Sequence, residues 1–371
     1  MQAEKVLRST NLFWTDNLLK FFSAISCGIF NCIKIIIELK TELNYINLSY
    51  QNHSQKECHI PLTYQIFGKE LFTAPVILVN HALTGNSNVS GEKGWWKQLI
   101  GDQQVIDTNT YTVLCFNIPG NGYDHFLIDH YEDFTPSDIA EIFLKGLEAL
   151  HIKNLYAIIG GSLGGGIAWE MLAKQPQLAE IFIPIACDFR THDWLHAQCL
   201  VQKFLLNGND EPLQKARIHA MLCYRTPQSL NDRFQNRYLK ENQRLESEDW
   251  LVYHGNSLND RFSLSSYKLM NHLLMNINTD ENKLVKISAR MHLIAVDTDL
   301  FFPASEIRMC FEQLKDKKKE VFYHEIQSIH GHDAFLMEYK QLNNIINNIF
   351  RMKESESETP SDNNKQKVKN R

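Results

Sequence analysis

Between residues 75 and 188 the chain alternates short apolar runs with longer stretches in which apolar residues recur every three or four positions. PVILVNHAL (75–83) and YTVLCFN (111–117) are β-branched or aliphatic almost throughout and are bounded by Gly, Asn or Pro. They are too short for helices and lack the one-faced alternation of a half-exposed strand, so they predict buried parallel strands. Residues 155–160 and 180–187 predict two more. Thr135-Pro136-Ser137-Asp138 opens an amphipathic stretch to Leu150, with Thr as N-cap, Pro in the first turn and an acid behind it. Residues 163–174 predict the next helix. From 189 to 282 the rhythm changes: the chain reads as helical and polar, rich in Trp and Arg, with no apolar strand. RMHLIAV (290–296) and EVFYHE (320–325) then restore the strand pattern. Alternation, a helical interruption and renewed alternation predict an α/β fold, a mostly parallel sheet flanked by helices with an inserted helical cap. The expected boundaries are a first core part at 41–188, the cap at 189–285 and a second core part at 286–352. There is no internal repeat.

The two ends read differently. Residues 18–39 are apolar but interrupted by Lys20, Asn31, Lys34 and Glu38, and the longest uncharged run is about half of what spans a bilayer. Acidic Glu4 and Asp16 precede it without a small-residue cleavage site, which argues against a signal peptide. An amphipathic helix is the expected reading of this 1–40 extension, with a peripheral membrane anchor or a start codon placed too far upstream as alternatives. Residues 353–371 hold Val368 as their one aliphatic residue and predict a disordered tail.

Composition narrows the class. With 44% hydrophobic and 22% charged residues over 371 positions, a sizeable core can be buried. The net charge of −5 and the lack of a basic block longer than 317–319 exclude a nucleic-acid footprint. The eight cysteines show no C-x-x-C pairing and several lie in strand-like runs, which predicts free thiols in a reducing, cytoplasmic compartment and neither a disulfide framework nor a metal site.

The sharpest local chemistry is Gly160-Gly161-Ser162-Leu163-Gly164, between a predicted strand and a predicted helix. A serine on such a turn has its hydroxyl lifted above the sheet edge, and small flanking residues let neighbouring backbone pass close by. It resembles the nucleophile turn of the α/β-hydrolase fold, and the strand before and helix after separate it from a merely flexible glycine loop. A serine hydroxyl needs a base held by a third group, in the chain order Ser, Asp or Glu, His. Downstream, Asp297 and Asp299 follow a strand, and His330 and His332 lie between the last strand and the last helix. Position and order favour His332, but spacing alone excludes neither His330 nor Asp297.

Across about 43–351 the chain resembles the homoserine O-acetyltransferase family of α/β-hydrolase-fold enzymes. The matching residues are His81-Ala82-Leu83-Thr84-Gly85 in the oxyanion loop, then Gly94-Trp95-Trp96, Leu99-Ile100-Gly101 and Ile106-Asp107-Thr108. The nucleophile motif matches at 160–165, with Leu163 where the family usually has Met. Asp299-Leu300-Phe301-Phe302-Pro303 and Gly331-His332-Asp333-Ala334-Phe335-Leu336 match its acid and histidine motifs, so the resemblance selects Asp299 over Asp297 and His332 over His330. Within the helical block Ala216-Arg217, Ala220, Leu222 and Tyr224-Arg225 follow the pattern, as do Tyr253-His254-Gly255, Arg261-Phe262 and Ser266-Tyr267.

The resemblance implies a triad of Ser162, Asp299 and His332, with backbone N–H groups of Leu83 and Leu163 as the oxyanion hole. It implies Arg217 and Asp333 as the residues that hold the amino-acid substrate, since a guanidinium forks onto an α-carboxylate and a carboxylate pairs an α-ammonium. The expected reaction moves acetyl from acetyl-CoA, a co-substrate and not a bound cofactor, to the hydroxyl of homoserine, a step of methionine biosynthesis. The expected partners are these small molecules, with a homodimer left open. Two departures affect the pocket. The run Asn117-Ile118-Pro119-Gly120-Asn121-Gly122-Tyr123 lacks the family's Gly-Ser-Thr-Gly-Pro segment, and the stretch 207–217 is shorter than the family's. An esterase or thioesterase of the same fold, or a transferase using serine or succinyl-CoA, therefore stand as rivals. A non-catalytic role fits poorly with three intact triad positions.

Overall fold

The computed structural model describes residues 42–239, 243–318 and 320–357. The expected N-terminal extension and residues 358–371 of the expected tail lie outside them. The boundary of that tail needs correcting, because the last helix continues to Ser357 and takes in 353–357.

Ten strands run as β1 (Asn44–Gln51), β2 (Glu57–Gly68), β3 (Val76–Asn80), β4 (Ile100–Gly101), β5 (Ile106–Asp107), β6 (Thr112–Phe116), β7 (Leu155–Gly161), β8 (Ala179–Ile185), β9 (Arg290–Val296) and β10 (Val321–Ile326) among the described residues. Eight form one sheet in the order β1-β2-β6-β3-β7-β8-β9-β10, and β4 pairs with β5 alone. From β6 to β10 every pairing is parallel, whereas β2 lies antiparallel to β6 and β1 antiparallel to β2. The helices are α1 (Pro136–Ala149), α2 (Leu163–Lys174), α3 (Asp193–Leu206), α4 (Pro212–Tyr224), α5 (Pro227–Phe234), α6 (Glu246–Asn259), α7 (Leu264–Met275), α8 (Glu281–Leu284), α9 (Ala304–Lys315) and α10 (Tyr339–Ser357).

The unbroken apolar runs are explained by burial on both faces. Leu78, Leu114 and Ile158 point into one core with α1 and α2, while their neighbours Ile77, Val79, Val113, Cys115, Ala157 and Ile159 point into another with Ile346 and Phe350 of α10. Each such side chain contributes roughly 1.5–3 kcal/mol on leaving water. The first helix starts as its sequence predicts: Thr135 and Asp138 form a reciprocal capping box behind Pro136. The antiparallel pair β1–β2 was not legible in the same way, because its residues alternate between exposed and buried positions. Helices α3–α8 all lie between β8 and β9, and their position over the strand ends decides what surrounds Ser162.

Candidate active site

β7 ends at Gly161 and α2 begins at Leu163, so Ser162 alone makes the turn, at φ 53° and ψ −125°. A non-glycine residue in that region is strained and must be held there. Its N–H donates to the Ile185 carbonyl of β8 (2.9 Å), and its own carbonyl accepts from the Gly165 N–H (2.9 Å) and the Gly166 N–H (3.2 Å). Gly164 shows why the motif needs small residues: a Cβ there would stand 2.2 Å from the Asn80 carbonyl oxygen at the end of β3. The close approach brings the nucleophile turn against the loop 81–85.

Ser162, His332 and Asp299 come together as a buried chain of hydrogen bonds. The Ser162 hydroxyl lies 2.9 Å from His332 Nε2, and His332 Nδ1 lies 2.7 Å from Asp299 Oδ2. A carboxylate can only accept, so Nδ1 carries the proton and Nε2 presents a lone pair to the serine. The second carboxylate oxygen accepts from the N–H groups of Phe301 (2.7 Å) and Phe302 (2.9 Å), which fixes the acid's orientation. The rings of Tyr224, Phe301, Phe302 and Phe335 surround the imidazole at centroid distances of 4.9–5.9 Å. All three members are at most 4% exposed.

The competitors are engaged elsewhere. Asp297 Oδ1 accepts from the Ser328 N–H (2.9 Å), and His330 Nδ1 lies 2.9 Å from the Ser229 hydroxyl in α5. His330 thus helps stitch the cap to the histidine loop, together with the Thr226 hydroxyl, which donates to the Ile329 carbonyl. Gly331, at φ +64°, belongs to the same seam; a Cβ there would come within 2.8 Å of the Tyr224 carbonyl oxygen.

The loop 81–85 supplies the other expected group. Among the described residues no backbone partner takes the N–H of Leu83 or of Leu163, the first residue of α2. His81 anchors the loop from below: its Nδ1–H donates to the Ala82 carbonyl (2.8 Å) and its Nε2 accepts from the Ile118 N–H (3.0 Å). Complete burial pushes this imidazole down to about 4, which keeps it neutral. Asn117 and Asn121 extend the anchor. Asn117 Oδ1 accepts from the Ser87 N–H (2.8 Å), and the Asn121 amide reaches His81 Nε2 (3.3 Å). The run 117–123, which departs from the family pattern, is therefore wired into the floor of the site.

Arg217 and Asp333 lie on the cap side of the triad. The Arg217 guanidinium stands over the Tyr224 ring at 5.7 Å, and the same ring lies 5.6 Å from the His332 ring. Asp333 follows His332 directly and faces Arg225 Nη1 at 3.5 Å, a long and weak contact. Burial pushes the Asp333 carboxyl up, against the pull of Arg225, Arg217 and His332. Arg225 joins them as a residue whose role the sequence pattern does not reveal: it is 5% exposed, and its Nε has no partner among the described residues. The signal that could have singled it out is its place after Tyr224 at the end of a cap helix. Arg217, Arg233, Arg225 and Arg261 all act, after burial, to push His254 down. Four arginines of the cap thus lie close enough to act on one imidazole.

Comparison with known proteins agrees with this fold. The family described as alpha/beta hydrolase fold matches residues 75–181, which span β3 to the start of β8. The chain is 29% identical over 308 residues to homoserine O-acetyltransferase of Cyclobacterium marinum, covering 74% of this chain and 84% of that one. Among solved structures it resembles homoserine O-acetyltransferase from Staphylococcus aureus (TM-score 0.72, 24% identity, 83% of this chain and 95% of that chain). It also resembles esterase E22 (TM-score 0.75, 16% identity, 83% and 99%). Among the described residues no helix is long and apolar enough to cross a membrane. With its parallel sheet, its strained serine turn and these relatives, the chain is an enzyme of the α/β-hydrolase fold, similar over most of its length to homoserine O-acetyltransferases.

Proposed function

We propose that the chain transfers an acetyl group from acetyl-CoA to the hydroxyl of L-homoserine through an acyl-Ser162 intermediate, as a step of methionine biosynthesis. The observation that carries this reading is the 2.9 Å and 2.7 Å relay from Ser162 through His332 to Asp299, with Arg217 and Asp333 on its cap side.

In the first half-reaction His332 Nε2 takes the Ser162 proton as Oγ attacks the thioester carbonyl. Asp299 stabilises the imidazolium that forms. The oxyanion accepts from the N–H groups of Leu83 and Leu163, each such donor being worth about 3 kcal/mol. The tetrahedral intermediate collapses and the CoA thiolate leaves with the proton from His332. In the second half-reaction His332 takes the proton of the homoserine hydroxyl, which attacks the acyl ester, and returns it to Ser162 Oγ as the Ser162–acyl bond breaks. Arg217 binds the α-carboxylate and Asp333 the α-ammonium. Water competes for the same intermediate, and the aromatic rings around His332 together with the buried serine favour a bound acceptor over it.

The triad by itself serves a hydrolase equally well, so the decisive test is the fate of the acyl group. Purified full-length protein is given radiolabelled acetyl-CoA with and without homoserine. The expected result is label trapped on Ser162 without acceptor and delivered to homoserine when it is present. Release of acetate at the same rate in both cases would replace this reading with an esterase or thioesterase. Faster turnover with succinyl-CoA, or with serine as acceptor, would revise donor or acceptor and leave the chemistry standing.

A further inference from the structure

Arg261 sits at the junction between α6 and α7 and has no part in the reading above. Its Nη1 donates to the carbonyl oxygen of Thr84 at 3.3 Å. That contact joins the cap to the loop 81–85, one residue from the Leu83 N–H. The loop is therefore held twice: from below by His81 through Ala82 and Ile118, and from above by Arg261 through Thr84. The floor anchor is fully buried and complete. The roof anchor is one hydrogen bond from a guanidinium whose remaining donors have no partner among the described residues.

The electrostatic surroundings of Arg261 are equally lopsided. The groups that act on it are Arg217, another cation, and Tyr267; burial and Arg217 both push it down. Asp333 acts on Arg217, but its ion pair is with Arg225 at 3.5 Å, and it is not among the groups that act on Arg261. Two cations that repel each other are stabilised by an anion placed between them, and a planar carboxylate fits guanidinium donors best.

We propose that Arg261 is a specificity-determining residue that completes the carboxylate site with Arg217 and, through Thr84, couples its occupation to the position of the oxyanion loop. This rests on the reading that the acceptor is an amino acid held at Arg217. An acceptor with a carboxylate neutralises the Arg217–Arg261 repulsion and firms the Arg261–Thr84 contact, which aligns the Leu83 N–H for deacylation. An alcohol without a carboxylate finds the hydroxyl-activating His332 but leaves the roof anchor loose. Water behaves like that alcohol, so the same device favours transfer over hydrolysis.

The test compares homoserine with 3-aminopropanol, which keeps the hydroxyl and ammonium but lacks the carboxylate. Full-length enzyme is acylated with acetyl-CoA and then mixed with each acceptor in single turnover. Wild type should prefer homoserine strongly. Arg261→Met should lose about tenfold of that preference, the scale of one charge-assisted contact, through slower deacylation at saturating homoserine as well as a raised KM. Arg261→Lys, which keeps the charge and a donor for Thr84, should restore most of it. A merely structural role would lower the rates with both acceptors alike and leave the ratio unchanged, and that outcome in Arg261→Met overturns the proposal. Should Arg261→Met fail to fold, the KM-against-kcat split in Arg261→Lys decides, because a single-point donor must still weaken homoserine more than 3-aminopropanol. If wild type shows no preference while Ser162 acylates normally, the acceptor reading itself fails. If Arg217→Ala loses the preference and Arg261→Met keeps it, only the role of Arg261 fails.

Discussion

The acid–base half of the site and the half proposed to hold the acceptor are built on opposite terms. Around His332 every polar atom is engaged: Ser162 on one nitrogen, Asp299 on the other, and two backbone N–H groups on the remaining carboxylate oxygen. Around Arg217 the groups are charged and incompletely paired. Asp333 meets Arg225 only at 3.5 Å, Arg225 Nε is buried without a partner among the described residues, and Arg217 is stabilised by a ring face. A fully satisfied network needs nothing further to hold its geometry, which is the condition for preorganised proton transfer. An unsatisfied one is stabilised when a ligand arrives, and in a transferase that ligand is the acceptor. The first half should therefore break all at once, and the second by degrees.

The largest effect is expected at the centre of the satisfied half. Ser162→Ala should lower acyl transfer by roughly a millionfold, as removal of a triad nucleophile does elsewhere. The near-UV circular dichroism should stay unchanged, because only one hydroxyl is lost from a turn held by its backbone. Label appearing on a cysteine of this variant would show that the wrong nucleophile had been chosen. Asp299→Asn comes next, at about ten-thousandfold, because an amide facing Nδ1 favours the wrong tautomer. Asp297→Asn provides the control and should stay within a few-fold of wild type. Equal losses in the two variants would remove Asp299 from the relay.

That pair also marks the limit of what the sequence could reveal. The six parallel strands were legible to within two or three residues, because burial on both faces leaves an unbroken apolar run such as VILVN or TVLCF. The two antiparallel strands at one end of the sheet were not, because a strand such as NYINLSYQ places polar and apolar residues alternately and competes with loop readings. The serine turn was visible as a string of small residues between strand and helix. Choosing Asp299 over Asp297 and His332 over His330 required the family resemblance. Two residues of shift in a loop leave spacing unchanged, and only the fold shows that Asp297 faces Ser328 and His330 faces Ser229. Arg225 was out of reach for a related reason: which of the two arginines, Arg217 within α4 or Arg225 just past its end, turns inward depends on how the cap packs.

The unsatisfied half should respond more gently. Arg217→Ala should leave acylation of Ser162 by acetyl-CoA intact and slow transfer to homoserine by roughly ten- to a hundredfold, with a raised KM, as expected for one charge-assisted contact. Rapid-quench measurement of the two half-reactions separates them. An equal loss in both would place Arg217 in the fabric of the site and not in its acceptor pocket.

The smallest effect on rate, and the one that sharpens the contrast most, concerns the anchor beneath the oxyanion loop. His81 is neutral and fully satisfied between Ala82 and Ile118, with its folded pKa lowered to about 4 by burial. Above the unfolded value of about 6.5 both states are neutral, so at pH 7–8 His81 adds no pH dependence to stability. As pH falls below 6.5 the unfolded chain takes up a proton that the native ring refuses, and stability declines until the folded pKa is reached near 4. The slope from this one group approaches about 1.4 kcal/mol per pH unit, or roughly 3 kcal/mol over the whole window. His292, buried and pushed down to about 3, acts in the same direction, so the wild-type slope alone does not isolate His81. The difference between wild type and His81→Asn does. The variant should be less stable at pH 7, having lost a satisfied ring, and that deficit should shrink steadily between pH 6.5 and 4.5 in urea titrations. A deficit that stays constant with pH would mean that His81 is charged or hydrated in the native state. The loop carrying Leu83 would then be as loosely held from below as Arg261 holds it from above, and the contrast between the two halves would not extend to the oxyanion hole.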